Sequence, residues 1–424
     1  MMRIGIWCAY GETLKPSEGI GVFAHGLARG LVALADVERV VLAVHVGDEP
    51  LVADTVSAGG NRIQVATLER LPWLSRWRWK LLRRQHRRLS TAIAGGDRGP
   101  AETRRAAAEL AIGQVFASQR LEPSQLAAAC DVWLLPHVAV ERPFAAATVV
   151  VVHDMVPLHF PEMIKASDRE SFRRRSQRAV EHATLVATMS QTIRDTDIIG
   201  LLGCPAEKVR VVPPAVPDDL GKPVDSTTLE RLLPVARRPF LLYPAAYRPY
   251  KNHARLVEAL ATLRRCGYPQ LELICTGFGP LPEDLARVAA KHGVLGAVHA
   301  VGSVPRPVLA ALYRAARATV VPSLYEQGSF PVMEALRCGC PVAASDIPAL
   351  RESFADLAGA VPFFDPRSPA AIAGCVADLL VAPERVRARQ HAAITAAPLR
   401  TGENAAADWH AVFAEATARH RVGS

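Results

Sequence analysis

The chain has 424 residues, half of them hydrophobic, and a formal net charge of +9. That length exceeds what one hydrophobic core usually serves, so two domains are expected, and no apolar run is long enough to cross a bilayer. The eight cysteines are scattered, several inside apolar segments where a reduced thiol packs as a small hydrophobe. A disulfide-built secreted domain is thereby excluded, and a cytoplasmic protein is expected. Cys338-Gly-Cys340 is spaced too closely for a zinc site.

In chain order, residues 3–9 read as a fully buried strand, and the polar loop 10–18 after it lacks the layout of a signal peptide. A helix follows, with apolar residues at 23, 27, 31 and 34 marking one face. Gly19 and Gly21 stand where loop meets helix and would let the backbone approach a ligand closely, although Gly-x-Gly alone is equally a turn. Residues 39–46 and 61–68 give further strands. Strand alternating with helix implies a parallel sheet with crossover helices.

The charge is uneven. Residues 73–90, WLSRWRWKLLRRQHRRLS, hold seven Lys/Arg and no acid. Leu74, Trp77, Leu81, Leu82 and Leu89 approximate a helical stripe, with the basic residues Arg76–Arg88 mostly off it. Such a helix reads as interfacial, a reversible contact with an anionic membrane surface; a solvated face on an ordinary domain helix is the other reading. Nucleic acid is set aside as a partner because no recognised binding module accompanies the patch. Helices are expected at 103–118 and 123–129.

Strands at 131–136 and 147–153 follow, the second running into His153-Asp154. The carboxyl end of a buried strand is where open α/β sheets bind ligands; the plainer reading of His153 is a core or capping histidine, and His159 is expected to be structural. An Arg-rich helix at 167–182 and strands at 183–190 and 209–212 complete the first unit. The Pro- and Asp-rich stretch 216–239 reads as an interdomain linker. The second unit opens with a strand at 240–245, then Arg248-Pro-Tyr-Lys251-Asn252 at a strand-to-helix junction, where an ammonium can neutralise a diphosphate. A strand at 271–276 ends in Gly277-Phe-Gly279. A strand at 298–304 and a helix at 309–317 follow, then elements at 360–365, 372–380 and 384–397 and a last helix at 404–420.

The chain is organised around VPSLYEQGSFPVMEALRCGCPVAASD, residues 321–346. A strand at 318–322 leads into a loop, a helix at 331–338 and a strand at 341–345. Pro331 suits a helix start because its missing N–H has no intrahelical partner there, and Ser329 or a neighbour is expected to cap it. A loop feeding a helix N-terminus presents free N–H groups and the positive end of the dipole, an anion site most often used for phosphate. Glu326 and Glu334, with seven residues between them, could accept hydrogen bonds from hydroxyls on either side of that anion. A sugar nucleotide has this layout.

Glu326-Gln-Gly-Ser-Phe-Pro-Val-Met-Glu334, with Ala335-Leu336 and Gly339-Cys-Pro-Val342, resembles the E-x7-E signature of retaining glycosyltransferase family 4. The His153-Asp154 block, Lys251 and Gly277-Phe-Gly279 extend the resemblance. It implies an α/β protein of GT-B architecture, two Rossmann-like doubly wound domains facing across a cleft. The expected divisions are an N-terminal acceptor domain over 1–215, the linker 216–239, a nucleotide-sugar domain over 240–400 and a C-terminal helix over 401–424 packing back on the first domain. It implies retention at the anomeric carbon, with His153, Asp154, Lys251 and Glu326 catalytic. The donor would be bound by Gly19, Gly21, Arg248, Lys251, Gly277, Gly328, Ser329, Phe330, Pro331, Val332 and Glu334. Where family members often carry an Arg six residues before the Lys, this chain has Ala245, and Arg248 is the candidate substitute. No D-x-D pair stands in a metal-binding context, so no metal and no cofactor is expected beyond the nucleotide-sugar donor. The Tyr-Arg-Pro-Tyr-Lys-Asn-His segment resembles mannosyltransferases of bacterial surface-polysaccharide synthesis, including lipopolysaccharide, so GDP-mannose is preferred, with a glycan or lipid-linked acceptor and a place on the inner face of the plasma membrane as the peripheral option. The alternatives are a GT-B sugar-nucleotide epimerase and a non-catalytic sugar-binding protein at the membrane.

Overall fold

The computed structural model describes residues 1–10, 12–14, 19–68, 129–138, 146–216, 220, 223–277, 279–357 and 359–423. The basic stretch 73–90 lies outside these residues, as do the helices expected at 103–118 and 123–129 apart from Ala129.

Two parallel sheets form the frame. The first contains β1 (Met2–Trp7), β2 (Val37–His45), β3 (Ile63–Leu68), β4 (Val132–Leu135), β5 (Ala147–Val151), β6 (Leu185–Thr188) and β7 (Val209–Val211), in spatial order β3-β2-β1-β4-β5-β6-β7. The second contains β8 (Phe240–Pro244), β9 (Glu272–Thr276), β10 (Val298–Ala300), β11 (Ala318–Val321), β12 (Val342–Ser345) and β13 (Phe363–Phe364), in order β10-β9-β8-β11-β12-β13. The registers are parallel throughout: Ile4 lies beside Val40 and Val132, and Leu242 beside Ile274 and Thr319. Crossover helices cover both faces of each sheet, which is why β5 and β11 are buried along their whole length and read as unbroken apolar runs. In each sheet the winding direction reverses beside the first strand, β1 or β8, and a crevice opens there at the carboxyl ends.

The helices that matter for the site are α1 (Gly19–Ala33), α2 (Ala166–His182), α3 (His253–Arg265), α4 (Arg306–Ala315), α5 (Phe330–Arg337) and α6 (Gly402–Gly423). α1 buries Ala24, Leu27, Ala28 and Leu31 against the first sheet. The opposite face of that sheet carries Trp7 and Trp133, rings edge to face at 5.8 Å. Gly5 makes room for them: a Cβ there would lie 2.3 Å from the Trp133 indole. α6 belongs by sequence to the end of the second lobe but buries Ala406, Trp409, Phe413 and Ala416 in the core of the first.

Some expectations are corrected. The stretch 216–239 is not a free linker where it is described. Val216, Leu220 and Leu229 are buried in the core of the second lobe, and Ser226–Leu232 is a helix capped by Asp225, which accepts from Thr228 N–H at 2.9 Å. The strand expected at 298–304 stops at Ala300, before the positive φ of Gly302. The element expected at 360–365 contains the two-residue strand β13. The helix expected at 309–317 begins at Arg306, with Pro307 in its first turn where a missing N–H costs nothing.

Candidate active site in the cleft

Lys251 is placed by the turn between β8 and α3. Asn252 is the non-glycine residue with positive φ, +62°, among those described. Asn tolerates this left-handed conformation better than most side chains, and its amide here is buried and donates to the carbonyls of Pro322 (2.8 Å) and Pro366 (2.7 Å). The Tyr243 hydroxyl donates to the Lys251 carbonyl at 3.0 Å and bonds Ser323 Oγ at 2.9 Å. With its backbone clamped on both sides, Lys251 extends Nζ to Glu326 Oε1 at 2.6 Å and passes 5.3 Å from the Tyr250 ring centroid. Burial pulls the ammonium down, but Glu326, Tyr250 and Asp154 outweigh it and hold Lys251 above the usual lysine value. It stays a cation.

The loop after β11 carries Glu326 and leads to α5. Ser329 occupies the N-cap position in extended backbone, φ −116° and ψ 100°, yet its side chain makes no cap bond, contrary to expectation. Its Oγ is buried and without a partner at the helix tip. In the first turn Pro331 has no N–H, and Met333 N–H already donates to the Ser329 carbonyl at 3.2 Å. The tip is therefore made by the residues before Met333, and Phe330 and Val332 supply its first-turn donors. Glu334 departs further from expectation. It is buried rather than facing the cleft; Oε2 accepts from the Tyr313 hydroxyl at 2.8 Å and Oε1 lies 2.9 Å from Arg306. Both partners come from α4, which packs beside α5.

Opposite stand the carboxyl ends of β4 and β5. His153 is half-buried, its ring held by the Pro136 backbone with the Gln327 side chain beside it; loss of hydration lowers its pKa to about 4, so it is neutral near pH 7. Its Nε2 has no partner, and Phe23 from α1 meets the ring edge on at 5.3 Å. No hydrogen bond joins Asp154 to His153 among the described contacts. Asp154 Oδ1 accepts instead from Val156 N–H at 3.4 Å. Loss of hydration raises the Asp154 pKa, with the Val156 N–H and Lys251 opposing and Glu326 and Asp197 adding.

These groups enclose a cavity of about 180 Å³ between the lobes. From the first lobe come Gly19, Ile20, Phe23, His153, Asp154, Val156 and Met189; from the second come Tyr250, Lys251, Tyr325, Glu326, Gln327, Gly328 and Phe330. The space is below the ~300–1,000 Å³ typical of drug-sized ligands and suits a single sugar ring. Of the residues expected from sequence, Gly19, His153, Asp154, Lys251, Glu326, Gly328 and Phe330 line it. Gly21 is buried within α1, Arg248 is exposed, and Ser329, Pro331, Val332 and Glu334 do not line this cavity. Gly277 sits elsewhere, where a Cβ would come 2.8 Å from the Ala245 carbonyl; it lets the loops after β8 and β9 touch. A Cβ on Gly328 would lie 2.9 Å from Pro214 Cγ, so this glycine sets how closely the lobes approach. Phe23, Tyr250 and Tyr325 were not foreseen. Tyr250 and Tyr325 each precede a charged site residue, the one local signal that marks them.

Around the cavity the lobes are tied by polar contacts. The fully buried Asp197 accepts from Tyr325 OH of the second lobe, lies 2.8 Å from His159 Nε2 and accepts from Thr196 Oγ1 at 2.8 Å. His159 also packs against the Tyr325 ring at 4.9 Å. Glu352 of the second lobe accepts from Thr192 N–H (2.9 Å) and Thr192 Oγ1 (2.8 Å) at the start of the helical stretch 191–201. The bond to Asp197 raises the His159 pKa. A raised folded-state value stabilises most below the ordinary histidine pKa and is lost as pH climbs through the raised one. The melting-temperature gap between wild type and His159→Gln is therefore expected to be widest below the ordinary histidine pKa of about 6.5 and to narrow as pH rises above it; a gap that does not change with pH would remove the charged pair.

Comparison with known proteins fits this geometry. Residues 227–396 match the family model described as glycosyl transferases group 1. The O-antigen chain mannosyltransferase B of Escherichia coli is 30% identical over 229 residues, covering 52% of this chain and 57% of that protein. The D-inositol 3-phosphate glycosyltransferase of Thermobispora bispora is 32% identical over 238 residues, covering 53% and 55%. The chain thus spans little more than half the length of the curated relatives it matches. Anabaena HepE, solved in complex with UDP and glucose, superimposes with a TM-score of 0.68 at 17% identity, over 98% of this chain and all of that one. The chain therefore has the two-lobed GT-B fold, and residues 227–396, most of its second lobe, are similar to glycosyl transferases group 1.

Proposed function

We propose that the chain is a retaining glycosyltransferase that moves a hexose from a nucleoside-diphosphate sugar to a glycan or lipid-linked acceptor, with GDP-mannose the first donor to test. The observation that carries this reading is the Lys251–Glu326 pair, 2.6 Å apart, beside the tip of α5 and across a monosaccharide-scale cavity from His153. The diphosphate would lie against Lys251 and the first-turn N–H groups of α5, whose unpartnered Ser329 hydroxyl is free for it. Preorganised donors of this kind stabilise the charge of a departing diphosphate without a divalent cation. Glu326 and neutral His153 would hold sugar hydroxyls. The C1–O bond to the diphosphate breaks, the acceptor oxygen bonds to C1 on the same face, and the acceptor proton passes to the leaving phosphate oxygen. The name of the Escherichia coli relative supports mannose; the UDP and glucose bound to HepE keep other donors in the test.

The experiment is a panel of nucleotide sugars, read by thermal shift and then by transfer. One donor should stabilise the protein and be consumed only with an acceptor; epimerised donor without transfer would overturn the reading. For Glu334 to meet the nucleotide ribose, it must release Tyr313 or Arg306. Glu334→Gln is then expected to raise the donor KM more than it lowers kcat. A fall in melting temperature with KM unchanged would make Glu334 purely structural.

A further inference from the structure

Three consecutive residues of the loop after β11 point alternately to opposite lobes. Glu326 turns to Lys251 of its own lobe. Its neighbours on both sides enter the other. The Tyr325 hydroxyl donates to buried Asp197 and accepts from Met155 N–H at 3.2 Å. The Gln327 amide, on a side chain 7% exposed, donates to the carbonyls of Val152 (2.7 Å) and His153 and lies 3.1 Å from Thr188 Oγ1. Those carbonyls sit where β5 ends and His153 begins. Tyr325 and Gln327 flank Glu326 in the chain, so anchoring both in the first lobe limits where the side chain between them can point.

We propose that Tyr325 and Gln327 are positioning residues that lock the second lobe's loop onto the first, so that Glu326 and His153 face each other across the cavity only when the lobes are joined. The inference rests on the reading under Proposed function. Neither side chain needs to touch the donor. Gln327 holds the backbone of the residue whose ring faces the sugar, and Tyr325 holds the opposite end of the same tripeptide. Gly328 completes the device, because any side chain there would strike Pro214 and lift the loop. The diphosphate site is built from Lys251 and α5, both in the second lobe, so losing the lock should spare nucleotide binding and disturb the placement of the sugar.

The test uses Gln327→Met, which keeps length and loses the donor, alone and with Tyr325→Phe. Small-angle scattering of the unliganded full chain reads the lock without any assay: the double variant is expected to show a larger radius of gyration than wild type. With the donor identified by the panel, Gln327→Met should lower kcat roughly 10- to 100-fold, the scale of an ångström-level misplacement, while the affinity for the free nucleoside diphosphate stays within about twofold, as expected if the binding lobe is untouched. An unchanged radius in the double variant, an unchanged kcat in Gln327→Met, or equal losses of kcat and diphosphate affinity would each overturn the proposal. A wild-type protein that turns over no nucleotide sugar would defeat the proposed function instead, and the scattering result would still decide the lock.

Discussion

Lys251→Met is expected to reduce kcat by about 10²- to 10³-fold, the loss seen when one preorganised donor to a developing oxyanion is removed. Methionine keeps most of the apolar stem of lysine and removes the charged ammonium with its N–H donors. Glu326 would then be left 11% exposed beside an apolar neighbour. Removing one partner of a fully buried pair costs about 3–5 kcal/mol, because the surviving charge stays desolvated; this pair is half-buried, so its loss should cost less. The single variant should therefore melt earlier as well as turn over slowly, and the two effects must be separated. Lys251→Met/Glu326→Gln does this: it removes the stranded carboxylate, so most of the melting temperature should return while turnover does not. Recovery of turnover in the double variant, or kcat within a few-fold of wild type in the single one, would remove Lys251 from the reaction.

Lys251 and Glu326 were each legible in the sequence as site candidates, though not as partners, because their determinants are local. Lys251 follows the apolar strand Phe240–Pro244 and precedes a helix; Glu326 follows Ala318–Val321 and precedes another. Two such junctions on neighbouring parallel strands must meet at the same sheet edge, and β8 does pair with β11. His153, ending the fully buried β5, follows the same rule in the other sheet. What was not legible crosses between elements. Nothing in the spacing of Glu334 announces Arg306 and Tyr313, because their meeting depends on how α4 packs on α5. Asp197 and Tyr325 are separated by 128 positions, and their bond exists only in the relative placement of two lobes that no local pattern encodes. The stretch 216–239 was misread for a related reason. Its four prolines and three aspartates suggest a linker, yet Val216, Leu220 and Leu229 are enough to anchor it on the second lobe. Apolar positions, not the average composition, decide whether such a stretch packs.

Trp409→Ala is expected to have the largest effect on stability, about 3–5 kcal/mol, typical of emptying a buried tryptophan site. Trp409 is 2% exposed and lies between Phe23 of α1, ring centroids 5.4 Å apart, and Phe413 at 5.9 Å. The α1–α6 contact is close because Gly30 has no side chain: a Cβ there would stand 2.9 Å from Ala406 Cβ. Such a seam cannot collapse easily into the space an indole leaves, which favours the upper part of that range. The consequence should reach the cleft, because Phe23 is also the ring packed against His153. With Trp409 gone, Phe23 can retreat, water can enter, and the His153 pKa should rise from about 4 towards the ordinary histidine value. Chemical denaturation would measure the first effect and the titration of the His153 ring by NMR the second. Trp409→Phe, which keeps an apolar ring, should cost markedly less and leave His153 neutral across the same range. A destabilised Trp409→Ala variant whose His153 titrates as in wild type would show that α6 supports the fold of the first lobe without supporting its site.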